Sequence, residues 1–310
     1  METAIQLLLL ALGFVLLVKG ADLFVDGASG LAAKFGIPQL VIGLTIVAMG
    51  TSTPEAAVSI SAALNGCADI TIGNIVGSNI LNILIILGIS CIICPLTVAN
   101  STVKIEIPIM IIITILLFLL GYDGTVGRID GLILLAAFIG YLAYLFLMTK
   151  NNKDNNENSA EPKNISLLKT LLFTFAGLVM IIYGSNLTVK SASSIARMLG
   201  LSERFIGLTI VALGTSLPEL FTSVSAALKK NSDIAIGNIV GSNIFNILFI
   251  VGLSGLIIPV PFAQAFRFDT IVALLSAVAL LVFCIRKNVL NRYAGVIMLL
   301  GYICYFCLIW

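Results

Sequence analysis

The sequence predicts an all-α integral membrane protein with ten transmembrane helices, arranged as two inverted five-helix repeats with broken helices at the midplane. Three observations support this prediction. Hydrophobic residues make up 59% of the 310 residues and charged residues only 10%, far from the composition of soluble domains. The stretch 43–90 reappears without a gap at 207–254, with 33 of 48 positions identical. Each copy also carries a proline inside an apolar stretch, where proline breaks a helix.

The apolar stretches predict where the chain crosses the membrane. A transmembrane helix needs about 20 apolar residues to cross a hydrocarbon core about 30 Å thick. Ten such stretches lie at 4–25, 38–64, 69–96, 103–121, 129–148, 167–190, 203–229, 233–259, 267–285 and 291–309. The polar segment 150–166, rich in Asn, Lys and Glu, is predicted to be a solvated linker. It separates a first repeat at 1–149 from a second at 167–310.

The relation between the two halves follows from the number of spans. At the offset of 164 residues, Gly13 and Gly20 match Gly177 and Gly184, so the repeat begins with each half. Because five is an odd number, the second half must enter the membrane from the opposite side. Such inverted repeats are typical of secondary transporters.

The basic residues predict the orientation in the cell membrane. The loops and span ends on one side hold twelve of them: Lys19, Lys34, Lys104, Lys150, Lys153, Lys163, Lys169, Lys229, Lys230, Arg286, Lys287 and Arg292. The other side holds Arg128, Lys190, Arg197, Arg204 and Arg267. By the positive-inside rule, the linker is cytoplasmic and both termini are external.

Composition excludes several kinds of chemistry. The chain has no histidine, so imidazole metal sites and His-based catalytic triads are excluded. The C-x-x-C pairs at 91–94 and 304–307 lie in apolar spans, where cysteine behaves as a small hydrophobic residue. The net charge of +2 is too small to suggest nucleic acid. We expect no enzyme activity, no cofactor and no obligatory protein partner.

Two carboxylates inside apolar spans indicate an ion pathway. Glu55 and Glu219 occupy equivalent positions of the two copies. An acidic residue at the membrane centre costs about 2.5–3.5 kcal/mol, so such groups normally face a cavity or a partner. A single buried glutamate can also be a protonated group that ties helices together. Two at equivalent positions favour the pathway.

The prolines beside these glutamates predict broken helices. Pro54 and Pro218 remove the hydrogen bonds to the carbonyls of Gly50 and Gly214. Freed carbonyls inside a membrane are tolerated where they line a cavity, and there they can coordinate cations. A simple kink explains the glycines and prolines, but it does not explain the Thr, Ser and Glu between them.

Helical spacing assembles the polar side chains into one site. Thr51 and Glu55 are four residues apart and share a helix face, as do Ser78 and Asn82 on the next span. The predicted side-chain ligands are Thr51, Ser52, Glu55, Ser78, Asn82, Thr215, Ser216, Glu219, Ser242 and Asn246. All of them offer oxygen, which suits hard cations rather than zinc or copper. Calcium and sodium fit best.

Other repeated polar residues are given structural interpretations. We expect Asp69 and Asp233 to be N-caps or helix-dipole partners. Close helix packing is expected at Gly73, Gly77, Gly237 and Gly241. The amides predicted to bond across helices rather than to line the pathway are Asn74, Asn79, Asn238 and Asn243. Asp22 and Asp26 have no acidic counterparts in the second half, so the symmetry argument assigns them no role.

The strings G-T-S-x-P-E and G-N-I-V-G-S-N-I-x-N-I resemble the alpha-1 and alpha-2 repeats of the cation/calcium antiporter superfamily, and in particular prokaryotic sodium/calcium exchangers. The resemblance covers essentially the whole chain. It implies alternating access, with sodium and calcium bound in overlapping sites at the midplane. It also implies that the backbone carbonyls of Ala48 and Ala212 join the ligands named above, and that Glu55 and Glu219 are the central calcium ligands.

One departure concerns Asn246, whose position holds aspartate in potassium-dependent exchangers and in some archaeal relatives. Both halves of this chain carry asparagine, at Asn82 and Asn246. The site therefore has two formal negative charges, which balance one calcium ion. This charge does not fix how many sodium ions replace it.

The expected function is antiport of sodium against calcium across the cell membrane. A proton/calcium exchanger of the same fold is the alternative, because a buried glutamate can bind protons. A cation channel is a weaker alternative, since broken inverted repeats argue against a continuous open pathway. The absence of an ATP-binding motif in the sequence disfavours a primary pump.

The orientation can be tested by cysteine labelling in intact cells, in a variant without native thiols. With Ser159→Cys in the linker, we expect no labelling by an impermeant reagent, because the excess of basic residues holds that side in the cytoplasm. Glu2→Cys at the external amino terminus serves as the positive control. Labelling of the linker cysteine from outside would overturn the orientation.

Overall fold

The computed structural model describes residues 2–155, 166–200 and 212–309, and within these ranges the chain is almost entirely helical. The helices are α1 Glu2–Phe35, α2 Gln39–Thr51, α3 Thr53–Leu64, α4 Ile70–Ile93, α5 Thr102–Asp123, α6 Arg128–Asn155, α7 Leu167–Met198, α8 Ala212–Thr215, α9 Leu217–Leu228, α10 Ser232–Ile257, α11 Gln264–Cys284 and α12 Arg292–Ile309. Two-residue strands are β1 Leu96–Thr97, β2 Thr125–Val126, β3 Val260–Pro261 and β4 Val289–Leu290.

Eight helices within the described ranges are long and apolar enough to cross a membrane, and the bent pair α2–α3 makes a ninth. The predicted seventh span, 203–229, is seen as α8 and α9, and its beginning lies outside the described residues. The predicted all-α membrane architecture is confirmed at this level.

Three predicted helix boundaries were wrong. Helix α1 continues ten residues beyond the predicted end at 25, and α7 continues from 190 to Met198. Both stop where a glycine adopts a left-handed conformation, Gly36 with φ 64° and Gly200 with φ 81°. The polar residues in the last turns of α1 and α7, including Lys34 and Arg197, do not end these helices. Helix α6 similarly runs to Asn155, inside the predicted linker.

Helices α4 and α10 form the centre of the molecule. In their most apolar parts 78% and 94% of the residues are buried, against 17% to 39% in the other six long helices. Helices that are apolar on all faces belong in an interior. Close contact is possible because Gly43 of α2 meets Gly237 of α10, where a side chain on Gly43 would lie 3.1 Å from the Gly237 Cα. The predicted packing role of Gly237 is confirmed, whereas that of Gly77 is wrong, because a Cβ on Gly77 would have no neighbouring atom within 4 Å.

Four of the irregularities in the backbone form two pairs that are related by the shift of 164 residues. The chain breaks at Ser52, between α2 and α3, which are bent by 51°, and at Ser216, between α8 and α9. Pro54 and Pro218 follow within the first turns of α3 and α9, as predicted. In addition, α4 and α10 contain π-helical segments at Asn82–Leu87 and Asn246–Val251, which the sequence did not predict. Such segments are frequent at functional sites.

The four short strands join the two halves of the chain. Strand β1 pairs antiparallel with β4, Leu96 opposite Leu290, and β2 pairs antiparallel with β3, Val126 opposite Val260. A shift of 164 residues converts one pair into the other, register included. The two ribbons are thus equivalent contacts between the halves.

Helices α1 and α7 pack against each other along glycines. A side chain on Gly177 would lie 2.5 Å from the Phe24 backbone nitrogen and 2.8 Å from the Gly20 carbonyl oxygen. Gly13 and Gly184 are similarly tight, with 2.9 Å between a Gly184 Cβ and the Gly13 carbonyl oxygen. Small residues that let backbones approach are the usual basis of helix association in membranes.

We therefore expect Gly177→Ala to destabilise the protein by about 1–3 kcal/mol, because the added methyl group meets backbone atoms that cannot move separately. The measurement is the apparent melting temperature in detergent. Gly140→Ala is the matched control, since a Cβ at this exposed position of α6 has no atom within 4 Å. Equal melting temperatures for the two variants would contradict the close packing of α1 and α7.

Candidate cation-binding site

The two helix breaks place two carboxylates at helix amino termini inside the protein. Glu55 lies in the first turn of α3 and Glu219 in the first turn of α9. Both side chains are only 1% exposed. The positive end of a helix dipole stabilises an anion in its first turn. The break in each span therefore places a helix amino terminus beside the carboxylate and stabilises its negative charge. An unbroken helix would have no amino terminus at that depth.

The carboxylates from the two halves meet at one place. Ser52, at the first break, donates a hydrogen bond from Oγ to Glu219 Oε1 at 2.7 Å. Glu55 lies within electrostatic range of Glu219 and faces Thr215 and Ser216. Predicted site residues from the first half of the chain thus lie next to predicted site residues from the second half.

The Ala48 carbonyl also lies beside predicted ligands. Its oxygen accepts a hydrogen bond from the Ser242 hydroxyl at 3.3 Å and lies 3.3 Å from the Thr51 hydroxyl. Ser242 is fully buried, and Ser78, its counterpart on α4, is 3% exposed. Ala212 of α8 occupies the position equivalent to Ala48 of α2.

Several buried oxygens at this place have no hydrogen-bond partner among the described residues. They are Glu55 Oε1 and Oε2, Asn82 Oδ1, Ser216 Oγ, Glu219 Oε2 and Asn246 Oδ1. Leaving one buried polar atom unsatisfied costs about 1–3 kcal/mol, and more for a charged group. Calcium takes six to eight oxygen ligands. This oxygen set is therefore suited to a hard cation, and every residue in it was predicted from the sequence.

The amides predicted to bond across helices do so. Asn74 Nδ2 donates to Ser59 Oγ at 2.9 Å and lies 3.4 Å from the Glu55 carbonyl oxygen. Asn238 makes the equivalent contacts, at 2.9 Å to Ser223 Oγ and 3.3 Å to the Glu219 carbonyl oxygen. These bonds tie the first turns of α3 and α9, which carry the carboxylates, to the central helices. Asn238 Oδ1 also accepts from the Thr51 hydroxyl at 2.9 Å.

The carbonyl freed by the second proline has a protein partner. Ser185 of α7 donates from Oγ to the Gly214 carbonyl oxygen at 2.7 Å. The counterpart of Ser185 in the first half is Ala21, which has no hydroxyl. The expectation of a carbonyl without a partner is therefore wrong for Gly214, while its coordination of a cation stays a prediction. Its hydrogen bond is replaced by a side chain of a neighbouring helix.

Asp22 and Asp26, to which the symmetry argument assigned no role, form ion pairs with a lysine. Lys229 Nζ pairs with Asp26 Oδ1 at 2.7 Å and contacts Asp22 at 3.8 Å, which ties the end of α9 to α1.

Glu106 is a third buried carboxyl group, and it was not predicted to be part of the site. It accepts a hydrogen bond from the Tyr144 hydroxyl on α6. Its only signal in the sequence is an acidic residue within an apolar span.

A multi-pass helical membrane protein with two carboxylates buried at breaks in its helices belongs to the class of secondary cation transporters. Comparison with known families supports this class. The family described as sodium/calcium exchanger protein matches residues 5–147 and 169–310. The chain belongs to this family.

Similar proteins cover almost its whole length. The putative antiporter CaxA of Alkalimonas amylolytica is 39% identical in an alignment 302 positions long that covers 94% of this chain and 95% of the relative. The sodium/calcium exchanger MaX1 of Methanosarcina acetivorans is 33% identical in an alignment 340 positions long that covers 97% of each protein. The solved structure of the sodium-calcium exchanger NCX_Mj soaked with zero Na⁺ and Ca²⁺ superposes with a TM-score of 0.87. It is 33% identical, and the match covers 99% of this chain and 100% of that one.

Proposed function

We propose that this protein is a secondary antiporter that exchanges sodium for calcium across the cell membrane by alternating access. The observation that carries the proposal is the group of buried, unpartnered oxygens around Glu55 and Glu219. Two carboxylates in a low-dielectric interior require a compensating positive charge. The family and the similar exchangers agree with this function.

Charge and ligand type favour calcium and sodium as the transported ions. Two carboxylates balance one calcium ion, and the remaining oxygens come from neutral hydroxyl, amide and backbone groups, which also suit sodium. The proposed ligands are Thr51, Ser52, Glu55, Ser78, Asn82, Thr215, Ser216, Glu219, Ser242 and Asn246, with the carbonyls of Ala48 and Ala212. No group of three or more His, Cys, Asp or Glu side chains that could hold a metal occurs in the described ranges. The cation would therefore be held largely by neutral oxygens.

The architecture we propose has ten spans in two inverted repeats, 1–149 and 167–310. It is supported by contacts between the halves that a shift of 164 residues exchanges, including the two strand pairs. The segment 150–166 would be cytoplasmic and both termini external, which rests on the distribution of basic residues. In such repeats, rocking of one part against the other opens the midplane site to either side.

Sodium coupling can be separated from proton coupling in proteoliposomes. We propose measuring calcium-45 uptake driven by an outward sodium gradient, and comparing it with uptake driven by a pH gradient without sodium. Uptake driven by the pH gradient alone would favour the proton/calcium exchanger. Uptake that neither saturates nor depends on a counter-ion would indicate a channel.

Glu55→Gln and Glu219→Gln should each abolish calcium exchange while leaving the protein inserted, because each removes half of the formal charge of the site. The measurement is sodium-driven calcium-45 uptake at low calcium. Glu106→Gln is the matched control, since Glu106 is equally buried but lies outside the proposed ligand set. This control should keep its exchange activity. Near-normal exchange by either site variant would remove that carboxylate from the ligands.

Exchange should not require potassium. Asn82 and Asn246 are neutral, so a bound calcium ion uses both available carboxylates. A potassium ion beside it would leave a net positive charge in a low-dielectric site. We therefore expect the same sodium-driven calcium flux when potassium is replaced by choline at a clamped membrane potential. Replacing sodium by choline in parallel should stop the flux. A strict requirement for potassium would contradict the charge argument.

A further inference from the structure

Four buried asparagines of α4 and α10 form a closed group of hydrogen bonds, which we call the amide clasp: Asn79, Asn82, Asn243 and Asn246. None of them is more than 4% exposed. Within each helix the two members are three residues apart and therefore lie on one face. The two faces meet at the centre of the molecule.

The bonds of the clasp are reciprocal. Asn79 Nδ2 donates to the Asn243 carbonyl oxygen at 3.2 Å, and Asn243 Nδ2 donates to the Asn79 carbonyl oxygen at 3.2 Å. Asn82 Nδ2 donates to Asn243 Oδ1 at 2.9 Å, and Asn246 Nδ2 donates to Asn79 Oδ1 at 3.0 Å. Asn79 and Asn243 therefore use both ends of their amides inside the clasp.

The clasp leaves one specific atom of each outer amide available. An asparagine side chain has an NH₂ donor at one end and a carbonyl acceptor at the other. With the NH₂ groups of Asn82 and Asn246 bonded within the clasp, their Oδ1 atoms are left buried and without a partner. If either amide were rotated by half a turn, its Oδ1 would face another acceptor, and its NH₂ would take the place of the available oxygen.

We propose that Asn79 and Asn243 are positioning residues of the cation site, which hold the amides of Asn246 and Asn82 so that oxygen, and not NH₂, faces the ion. The proposal rests on the calcium-binding function proposed above. The side-chain oxygen of each positioning residue already accepts a hydrogen bond from the ligand amide of the opposite helix. Each acts through the ligand on the opposite helix, so the clasp also joins the ligands of the two halves.

The crossed pairing predicts which pairs of variants will have non-additive effects on calcium binding. Asn79 bonds the side-chain amide of Asn246 and not that of Asn82, whereas Asn243 bonds that of Asn82 and not that of Asn246. A residue that acts only through a ligand has no effect on binding once that ligand has been removed. Residues that merely stabilise the helices would instead add their effects in every combination.

The test is a pair of double-mutant cycles on calcium-45 binding to the full-length protein in sodium-free choline medium. We expect Asn79→Ala and Asn246→Ala each to weaken calcium binding about tenfold, the equivalent of about one hydrogen bond with its desolvation. The double variant should also bind about tenfold more weakly than wild type, and not about a hundredfold. Asn79→Ala combined with Asn82→Ala should approach a hundredfold, because those two effects are independent.

The mirror cycle, Asn243→Ala with Asn82→Ala and with Asn246→Ala, repeats the test with the roles exchanged. Additive effects in all four combinations would overturn the proposal. Failure of both Asn79→Ala and Asn243→Ala to give folded protein without calcium would also count against it, because positioning predicts a folded protein with weak binding.

Glu55→Gln and Glu219→Gln, measured in the same assay, separate this inference from the proposed function. If these variants bind calcium like wild type, the site itself is wrong. If they lose binding while the cycles are additive, the site stands and the positioning role of the clasp is refuted.

Discussion

The burial of two carboxylates in the middle of a membrane protein is the constraint on which the rest of the structure depends. Removing an ionised group from water costs several kcal/mol even after relaxation. Two features of the structure reduce this cost for Glu55 and Glu219. Each lies at the amino terminus of a helix, and Glu219 accepts a hydrogen bond from Ser52. The helix breaks are required because an unbroken span offers no amino terminus at that depth.

A broken helix inside a membrane creates unsatisfied backbone groups, and neighbouring helices have to satisfy them. Ser185 does so for the Gly214 carbonyl, and Asn74 and Asn238 reach the carbonyls of the two glutamates. The contacts come from the buried helices α4 and α10 and from the outer helix α7. The same amides hold the first turns that present the carboxylates. The same bonds therefore satisfy the backbone and hold the two carboxylates in place.

Many contacts are equivalent in the two halves, although Ser52 bonds Glu219 while its counterpart Ser216 makes no such bond to Glu55. The strand pairs, the contacts of Asn74 and Asn238, and the amide clasp all recur after 164 residues. By contrast, Ser185 has Ala21 as its counterpart. The Lys229 ion pair likewise involves Asp26, whose counterpart is Lys190. The unmatched contacts of Ser185 and Lys229 involve the outer helices α7 and α1.

The sequence determined the membrane class, the repeat, the broken helices and the residues that we propose as cation ligands. The reason is that each depends on local chemistry: an apolar run must be buried, a proline must break its helix, and a carboxylate among apolar residues must find compensation. Duplication made these signals strong, because Glu55 and Glu219 could be judged together. The family resemblance added only the Ala48 and Ala212 carbonyls to the predicted set.

Only the tertiary structure decided which atoms of those residues are available. The amide orientations of Asn82 and Asn246 depend on Asn243 and Asn79, which lie 161 and 167 residues away in the chain. The partner of the Gly214 carbonyl and the π-helical segments at Asn82–Leu87 and Asn246–Val251 were likewise outside the reach of sequence patterns. Periodicity shows which face of a helix a residue occupies. It carries no information about the donor or acceptor that packing brings to that face.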